Sequence, residues 1–353
     1  MTLEELIKKP GAWLAAPRPT EICISSRVRL ARNLKDERFP GWTDEEGRVR
    51  VARRLRDALQ AAPSMRNAAY LDMGVLSPAD KEILNERHLI SHELAERGKG
   101  SGLVVSADER IAVMVNEEDH LRLQCILPGL DAEAAWRRID AVDSELEEAV
   151  DYAFSPRLGY ITACPTNLGT GLRASVMMHL SGLKLMDEVD PVINGLEKIG
   201  LTVRGLTGEG TEAHGNMFQI SNQMTIGETE ESIVKRLCHA AEQVERHERH
   251  ARLRLLEGKR MYLLDQVGRA LGLLLHARVL PSREAIELLS GVRLGVELGL
   301  VQNVEAARIH ELILLTQPGH LQKISGEELT PEERDELRAR VISERLKNAR
   351  FTD

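Results

Sequence analysis

The sequence has few cysteines, no long apolar run and no excess of positive charge. Its four cysteines are far apart and match no CxxC or Cys/His metal spacing; they are Cys23, Cys125, Cys164 and Cys238. This usage does not indicate a disulfide framework, so a reducing cytoplasm is the expected compartment. No apolar run approaches the roughly 18 residues that span a bilayer, and the first residues lack the pattern of a signal peptide. We therefore expect a protein that is neither exported nor embedded in a membrane.

The charge balance argues against a nucleic-acid-binding protein. The formal net charge is −8, from 47 Lys and Arg against 55 Asp and Glu, which disfavours general affinity for a polyanion. One basic stretch, residues 48–56, has no aromatic residues between its arginines on which bases could stack. With 353 residues and 42% hydrophobic content, the chain is long enough for two domains with proper cores.

One run, Cys164–Ser175, combines a thiol, a guanidinium and two glycines in a turn-forming sequence. Alone, it would ordinarily be interpreted as a structural turn with a buried cysteine. Three other distinctive words accompany it: SSRVRL at 25–30, NEEDHLR at 116–122 and RGLTGE at 204–209.

These four words, in this order, resemble the phosphagen (guanidino) kinases, the creatine and arginine kinases, which phosphorylate a guanidinium nitrogen with Mg-ATP. The resemblance implies an α+β fold with a catalytic domain of residues 1–240, an antiparallel sheet flanked by helices. The sequence pattern agrees, because short alternating or β-branched runs near residues 103–127 favour antiparallel strands. Residues 80–95 are predicted to form a single helix. After Glu228 the pattern becomes almost continuously helical, which predicts an all-α domain at 241–353.

The reaction requires acceptors that hold a guanidinium cation and remove a proton as the N–P bond forms. The resemblance assigns both tasks to Glu118 and Glu209. It also implies that Glu117 contacts the Mg-nucleotide through a water molecule. Cys164 could be a general base, an orienting thiolate or a redox handle. In this family it lies beside the substrate guanidinium, and we assign it an orienting and electrostatic role.

Phosphoryl transfer also needs cations around the phosphates. Arg27 and Arg29 lie two apart on a predicted strand and so project to one face, as Arg122 and Gln124 do. His88 falls where the family places a histidine beside the adenine, and Met177 stands where the small-molecule kinases carry a histidine. The ATP site implied by the resemblance comprises Ser25, Ser26, Arg27, Val28, Arg29, His88, Arg122, Arg173, Ala174, Ser175, Arg204, Gly205, Leu206, Thr207 and Gly208.

The position of the SSRVRL word indicates a branch of the family. Small-molecule phosphagen kinases have a helical domain before this word, which closes over the substrate, whereas here it begins at Ser25. The arrangement resembles the bacterial protein arginine kinases, which phosphorylate arginine side chains and mark proteins for a Clp-type unfoldase–protease. The resemblance implies stress-response repressors and unfolded proteins as substrates and a zinc-binding activator as a partner. Leu-rich helices in the tail favour a homodimer.

The tail carries a word that matches the RDxxRA motif of that subfamily. It is Arg334-Asp335-Glu336-Leu337-Arg338-Ala339. At helical spacing Arg334 and Arg338 are i, i+4 neighbours, so two guanidiniums could hold a phosphate while Asp335 holds a guanidinium. An allosteric phosphoarginine site is therefore expected, although a solvated, salt-bridged helix would show the same pattern.

Two other functions remain open at this point. One is a kinase for free arginine or another small guanidino compound. The other is a catalytically silent adaptor that binds phosphoarginine through the tail and recruits a protease.

Overall fold

The computed structural model describes residues 11–14, 22–205 and 214–352. In these residues the strands are β1 (Cys23–Arg32), β2 (Ala69–Asp72), β3 (Gly102–Val105), β4 (Ile111–Val115), β5 (Leu121–Pro128), β6 (Phe154–Ser155), β7 (Gly159–Tyr160), β8 (Leu172–His179), β9 (Leu201–Gly205), β10 (Met217–Asn222), β11 (Val301–Gln302) and β12 (Arg350–Phe351). Eight of them form one sheet with the strand order β2-β3-β4-β5-β1-β8-β10-β9, and β6/β7 and β11/β12 form two separate two-stranded sheets. The pairs β2/β3, β3/β4, β4/β5 and β1/β5 are all antiparallel.

Helices flank the sheet and make up most of the chain after residue 229. They are α1 (Glu45–Ala61), α2 (Pro78–Glu86), α3 (His92–Ala95), α4 (Ala132–Glu147), α5 (Ser181–Leu185), α6 (Val189–Lys198), α7 (Glu230–Gly258), α8 (Arg260–His276), α9 (Ser282–Glu297), α10 (Ala306–Leu315), α11 (Pro318–Ser325) and α12 (Pro331–Leu346). Among the residues with a described structure, no helix is long and apolar enough to cross a membrane.

The contacts divide the chain into two compact units. Unit 1 comprises residues 11–13, Ser25–Val176 and Ser221–His239. Its core includes buried apolar residues of β3 and β4 packed with Leu84 of α2 and Leu94 of α3. Since β3 and β4 are buried along their whole length, the β4–β5 hairpin extends from the buried centre of this unit.

The prediction of a single helix over residues 80–95 is wrong, because the structure has two helices there. Helix α2 ends at Glu86 and α3 begins at His92. Between them, His88 has a φ of 60°, which a right-handed helix does not accommodate. His88 therefore lies in the connection between the two helices and belongs to neither of them.

Unit 2 holds described residues from 22–24, 177–205, 214–220 and 240–352, with Leu14. A buried ion network ties its elements together. Glu248 of α7 is fully buried and accepts hydrogen bonds from the backbone N–H groups of Gly182 and Leu183, both at 2.8 Å. Arg252 Nε donates to Glu248 at 2.6 Å, and Arg252 Nη1 donates to Glu297 at 2.8 Å. Glu248 therefore joins the first turn of α5 to the long helix α7.

Replacing Glu248 by glutamine is expected to lower the free energy of unfolding by about 2 kcal/mol. The amide places a donor where a buried backbone N–H needs an acceptor, and it removes a charge beside the buried Arg252. Urea unfolding measures the change. Glu245→Gln on the same helix is the matched control, because its more exposed ion pair with Arg249 contributes about 0–1 kcal/mol. Equal losses in the two variants would contradict the account.

Candidate functional site

Four arginines project from three neighbouring strands of unit 1. Arg27 and Arg29 lie on β1, Arg122 on β5 and Arg173 on β8, and β1 lies between the other two strands. Arg122 is paired with Ala31, two residues along from Arg29, so the side chains come from the same region of the sheet. Their clustering confirms the i, i+2 alternation predicted for β1.

The arginine cluster has a strongly positive field. Burial, followed by repulsion from Arg122 and Arg173, lowers the pKa of Arg27 to about 10. Burial and the neighbouring guanidiniums of Arg27, Arg122 and Arg173 hold the pKa of Arg29 well below its usual value, against the opposing attraction of Glu117. Because these half-buried guanidiniums repel one another, a bound anion would lower the electrostatic free energy of the cluster. The arrangement therefore suits a ligand with several negative charges, such as a polyphosphate.

Glu117 is the buried carboxylate beside this cluster. Arg122 Nη1 donates to both its oxygens, at 2.7 Å and 2.9 Å, and the Ser91 hydroxyl donates to Oε1. Burial alone would raise the pKa of Glu117, but Arg122 and Ser91 outweigh it and lower the pKa. Because protein donors already hold both oxygens, an indirect contact with a metal through water would leave these bonds intact.

Glu118 differs from its neighbour because its carboxylate is exposed. It lies at the tip of the β4–β5 hairpin, where Asn116 has a φ of 54° and its side-chain amide donates to Arg48 O at 2.9 Å and Gly100 O at 2.7 Å. Partial burial, then the charges of Asp119 and Glu117, raise the pKa of Glu118. A carboxylate with a raised pKa at this position is suited to accepting a proton.

Asp119 connects this hairpin to the cysteine loop. Its Oδ1 accepts hydrogen bonds from Asn33 Nδ2 at 2.6 Å and from the backbone N–H of Ala163 at 2.7 Å. Ala163 precedes Cys164, whose Sγ lies 3.0 Å from Thr166 Oγ1. The residues next to Glu118 and Cys164 are therefore bonded to each other. Asp119 was not among the predicted site residues, although its place beside Glu118 was a usable signal.

The glycines of the cysteine loop allow it to pack against β1. Gly169 and Gly171 have φ values of 108° and 65°, and a Cβ on Gly171 would lie only 2.6 Å from Ala31 O. Arg32 anchors the same loop through a hydrogen bond from Nη1 to Thr170 O at 2.9 Å. Glycine at these positions is thus required by backbone conformation and close approach.

His88 lies at the edge of the arginine cluster. Its ring centroid is 5.1 Å from that of Trp13, and Gln124 Nε2 donates to its backbone carbonyl at 2.5 Å. Burial and the charge of Arg27 lower the pKa of His88 to about 4. The imidazole is therefore neutral at pH 7 and, with Trp13, offers flat ring surfaces next to the cations. Its adenine contact stays a prediction.

His88→Asn is expected to weaken the acid destabilisation of the protein. The folded-state pKa of His88 is about 4 against 6.5 for the free group, so the unfolded state binds more protons between these values and the parent loses stability as the pH falls through that window. Asparagine tolerates the positive φ and carries no such proton. Urea unfolding at about pH 7.5 and about pH 5 measures the difference. An identical fall in parent and variant would contradict it.

Several predicted ATP-site residues support the backbone of the site. Ser26 is buried, and its hydroxyl donates to Gly129 O at 2.7 Å and accepts from Asp131 N at 2.9 Å. The backbone N–H of Ala174 donates to Asn222 Oδ1 at 2.8 Å. Ser25, Val28 and Ser175 are also buried. We infer that these residues contribute mainly by fixing β1 and β8, which carry the arginines.

The remaining predicted catalytic and nucleotide residues belong to the RGLTGE word and its surroundings. Arg204 is exposed and Gly205 buried at the end of β9, and Met177 is half-buried on β8. Leu206, Thr207, Gly208 and Glu209 lie outside the described residues. Their roles stay predictions.

In the RDxxRA word, the two arginines have different environments. Arg338 is buried and donates from Nε to Thr316 O at 2.9 Å, from Nη1 to Leu280 O at 2.8 Å, and to Asp335 Oδ1. Arg334 is partly exposed and Ala339 is buried. Arg338 and Asp335 are thus bonded to each other across one helical turn, with Arg334 beside them. The phosphoarginine pocket stays a prediction.

Comparisons with known proteins agree with this geometry. Residues 50–251 match the ATP:guanido phosphotransferase C-terminal catalytic domain, and residues 260–353 match the protein-arginine kinase McsB C-terminal domain. A protein-arginine kinase of Halothermothrix orenii is 44% identical over 98% of this chain and 99% of its own length. Another, from Pelotomaculum thermopropionicum, is 45% identical over 99% of each chain.

Solved structures of guanidino kinases share the fold. Lombricine kinase matches with a TM-score of 0.58 and 24% identity, covering 72% of this chain and 71% of its own. The duplicated taurocyamine kinase of Schistosoma mansoni with bound transition-state analogue components has a TM-score of 0.59 and 23% identity, covering 80% and 43%. The predicted α+β fold, an antiparallel sheet with flanking helices and a helical C-terminal region, is confirmed.

Proposed function

The chain belongs to the protein-arginine kinases, a branch of the guanidino phosphotransferases, and from this membership we propose that it transfers the γ-phosphoryl group of ATP to arginine side chains of proteins. The carrying observation is the half-buried cluster of Arg27, Arg29, Arg122 and Arg173 close to the exposed carboxylate of Glu118. The cluster suits the triphosphate, and the carboxylate suits the guanidinium that accepts the phosphoryl group.

On the nucleotide side, we propose that the four guanidiniums bind the phosphate oxygens and stabilise the charge that spreads over them in a loose transition state. Mg²⁺ bound to the nucleotide adds charge neutralisation, and Glu117 would hold it through water. His88 and Trp13 would lie beside the adenine. The family resemblance adds Arg204 and the backbone of residues 205–208.

On the acceptor side, a guanidinium nitrogen forms a bond to the γ-phosphorus as the bond to the β–γ bridging oxygen breaks and ADP leaves. The nitrogen must lose a proton in this step, and Glu118 accepts it, because its carboxylate is exposed and its pKa is raised. Cys164 orients the guanidinium from the neighbouring loop. Glu209 would hold a second nitrogen, as the family resemblance implies.

The wider role that we propose also follows from the family. Phosphoarginine would mark stress-response repressors and unfolded proteins for a Clp-type unfoldase–protease in the cytoplasm. A zinc-binding activator protein would stimulate the kinase. The tail would form a homodimer and bind phosphoarginine as an allosteric ligand, with Arg334 presented beside the bonded pair of Asp335 and Arg338.

The experiment that tests this function compares acceptors. The protein is incubated with Mg-ATP and either an arginine-containing peptide, the same peptide with lysine in place of arginine, or free arginine. We expect turnover of the arginine peptide at a kcat/KM at least about a hundredfold above that of free arginine, and none of the lysine peptide. Preferential turnover of free arginine would instead establish a small-molecule kinase.

A further inference from the structure

Four large apolar side chains are exposed on the segments of unit 1 that flank the Cys164 loop. Phe154 of β6 is 57% exposed and Leu158, in the turn before β7, 41%. Met224 and Ile226, which follow β10, are 56% and 49% exposed. We call these four residues the docking rim. Single exposed apolar residues are ordinary, but a group of them beside a reaction site is a feature of interaction surfaces.

The two halves of the docking rim meet at Gly169. The backbone N–H of Tyr160 donates to Gly169 O at 2.8 Å, and the Tyr160 ring lies 5.2 Å from that of Phe154. From the other side, a Cβ on Gly169 would be 2.9 Å from Ile226 Cγ1. The hairpin residues and the 224–226 segment therefore border the same loop.

The docking rim is continuous with the reaction site. Thr225 lies between Met224 and Ile226. Its hydroxyl donates to Leu168 O at 2.6 Å, and the hydroxyl oxygen, Thr225 Oγ1, also lies 3.2 Å from Thr166 O. Thr166 in turn contacts the Cys164 thiol at 3.0 Å. A polypeptide that places an arginine between Glu118 and Cys164 must leave the site across neighbouring surface, and part of that surface is apolar.

We propose that the docking rim binds an extended stretch of the substrate polypeptide through apolar side chains that flank the target arginine. This inference rests on the proposed function and names how its protein substrate is held. In an extended chain alternate side chains share one face, about 7 Å apart, so apolar residues on both sides of the arginine can contact the docking rim. Folded proteins bury such residues, and unfolded chains expose them. The docking rim therefore selects unfolded segments.

The test compares two synthetic peptides, each with one central arginine. One carries leucine and phenylalanine on both sides of the arginine, and the other carries glycine and serine. The variant Leu158→Ser/Ile226→Ser removes one residue from each half of the docking rim, and neither residue belongs to the catalytic machinery. Leu253→Ser is the matched control, since Leu253 is 53% exposed on α7 in unit 2.

We expect the parent to favour the apolar peptide and the double variant to lose about tenfold in kcat/KM for that peptide alone, mainly through KM. The KM for ATP and the turnover of the glycine peptide should not change, and Leu253→Ser should match the parent. Equal losses for both peptides, no loss at all, or a shift in oligomeric state on sedimentation would overturn the binding role of the docking rim. None of these results would contradict the proposed kinase function. Absence of phosphoarginine on both peptides with the parent would overturn the proposed function and, with it, this inference.

Discussion

Glu118→Gln is expected to lower kcat about a thousandfold while the affinity for ATP stays within about twofold. The substitution keeps the size and a hydrogen-bond acceptor but removes the group that takes the proton from the guanidinium. ATP affinity should persist because, in the proposed mechanism, the arginine cluster and not Glu118 binds the phosphates. Steady-state kinetics with an arginine peptide give kcat, and calorimetric titration with nucleotide gives the affinity.

The pH dependence provides a second measurement on the same variant. Burial and the charges of Asp119 and Glu117 raise the pKa of Glu118, so the parent should lose kcat/KM as the pH falls through this raised pKa and the carboxylate becomes protonated. The variant should lack this acid limb. Glu93→Gln is the matched control, since Glu93 is an exposed acid that also raises the pKa of Glu118. It should retain near-parent activity, and an equal loss there would contradict the role of Glu118.

Arg29→Met is expected to lower kcat/KM for ATP about a thousandfold and yet to raise the free energy of unfolding of the ligand-free protein by about 1 kcal/mol. The guanidinium of Arg29 is repelled by Arg27, Arg122 and Arg173, so an apolar residue of similar length relieves both repulsion and desolvation. The same change removes a cation that we propose binds the phosphates of ATP. Activity and stability should therefore move in opposite directions.

Arg32→Met on the same strand is the control, because we expect it to lower the free energy of unfolding that Arg29→Met raises. Arg32 is buried, but it donates to Asp143 Oδ2 at 2.7 Å and stacks on the Tyr160 ring at 3.5 Å. Its removal leaves a buried carboxylate without its partner, which costs about 3–5 kcal/mol. Urea unfolding of both variants and the parent measures these changes in the free energy of unfolding. Destabilisation by Arg29→Met comparable to that by Arg32→Met would contradict the interpretation of the cluster as an anion site.

Alternation along β1 made part of this site predictable from the sequence. Arg27 and Arg29 differ by two positions and share a face, whereas Arg32 has the opposite parity. The partner of Arg32 could not be foreseen, because Asp143 is 111 residues away and nothing local marks it. The family resemblance identified the four sequence words that carry the site residues. The structure then distinguished the clustered arginines from residues such as Ser26 and Ala174, whose hydrogen bonds hold the backbone of the strands.

Adjacent carboxylates illustrate what the sequence left open. Glu117 and Glu118 look alike in the NEEDHLR word, but the turn at Asn116 buries one against Arg122 and leaves the other exposed. The break between α2 and α3 was missed for a related reason, since a non-glycine residue with positive φ such as His88 has no reliable sequence signal. Both outcomes depend on tertiary contacts that only the folded chain shows.

We propose above all that this site places phosphate on the guanidinium of arginine side chains. The most direct measurement is mass spectrometry of an unfolded, arginine-containing protein after incubation with the parent enzyme and Mg-ATP, with sample handling kept near neutral pH. We expect added phosphate on arginine that disappears on acid treatment, and almost none with Glu118→Gln. Acid-stable phosphate on serine, threonine or tyrosine, or equal labelling by the variant, would contradict it.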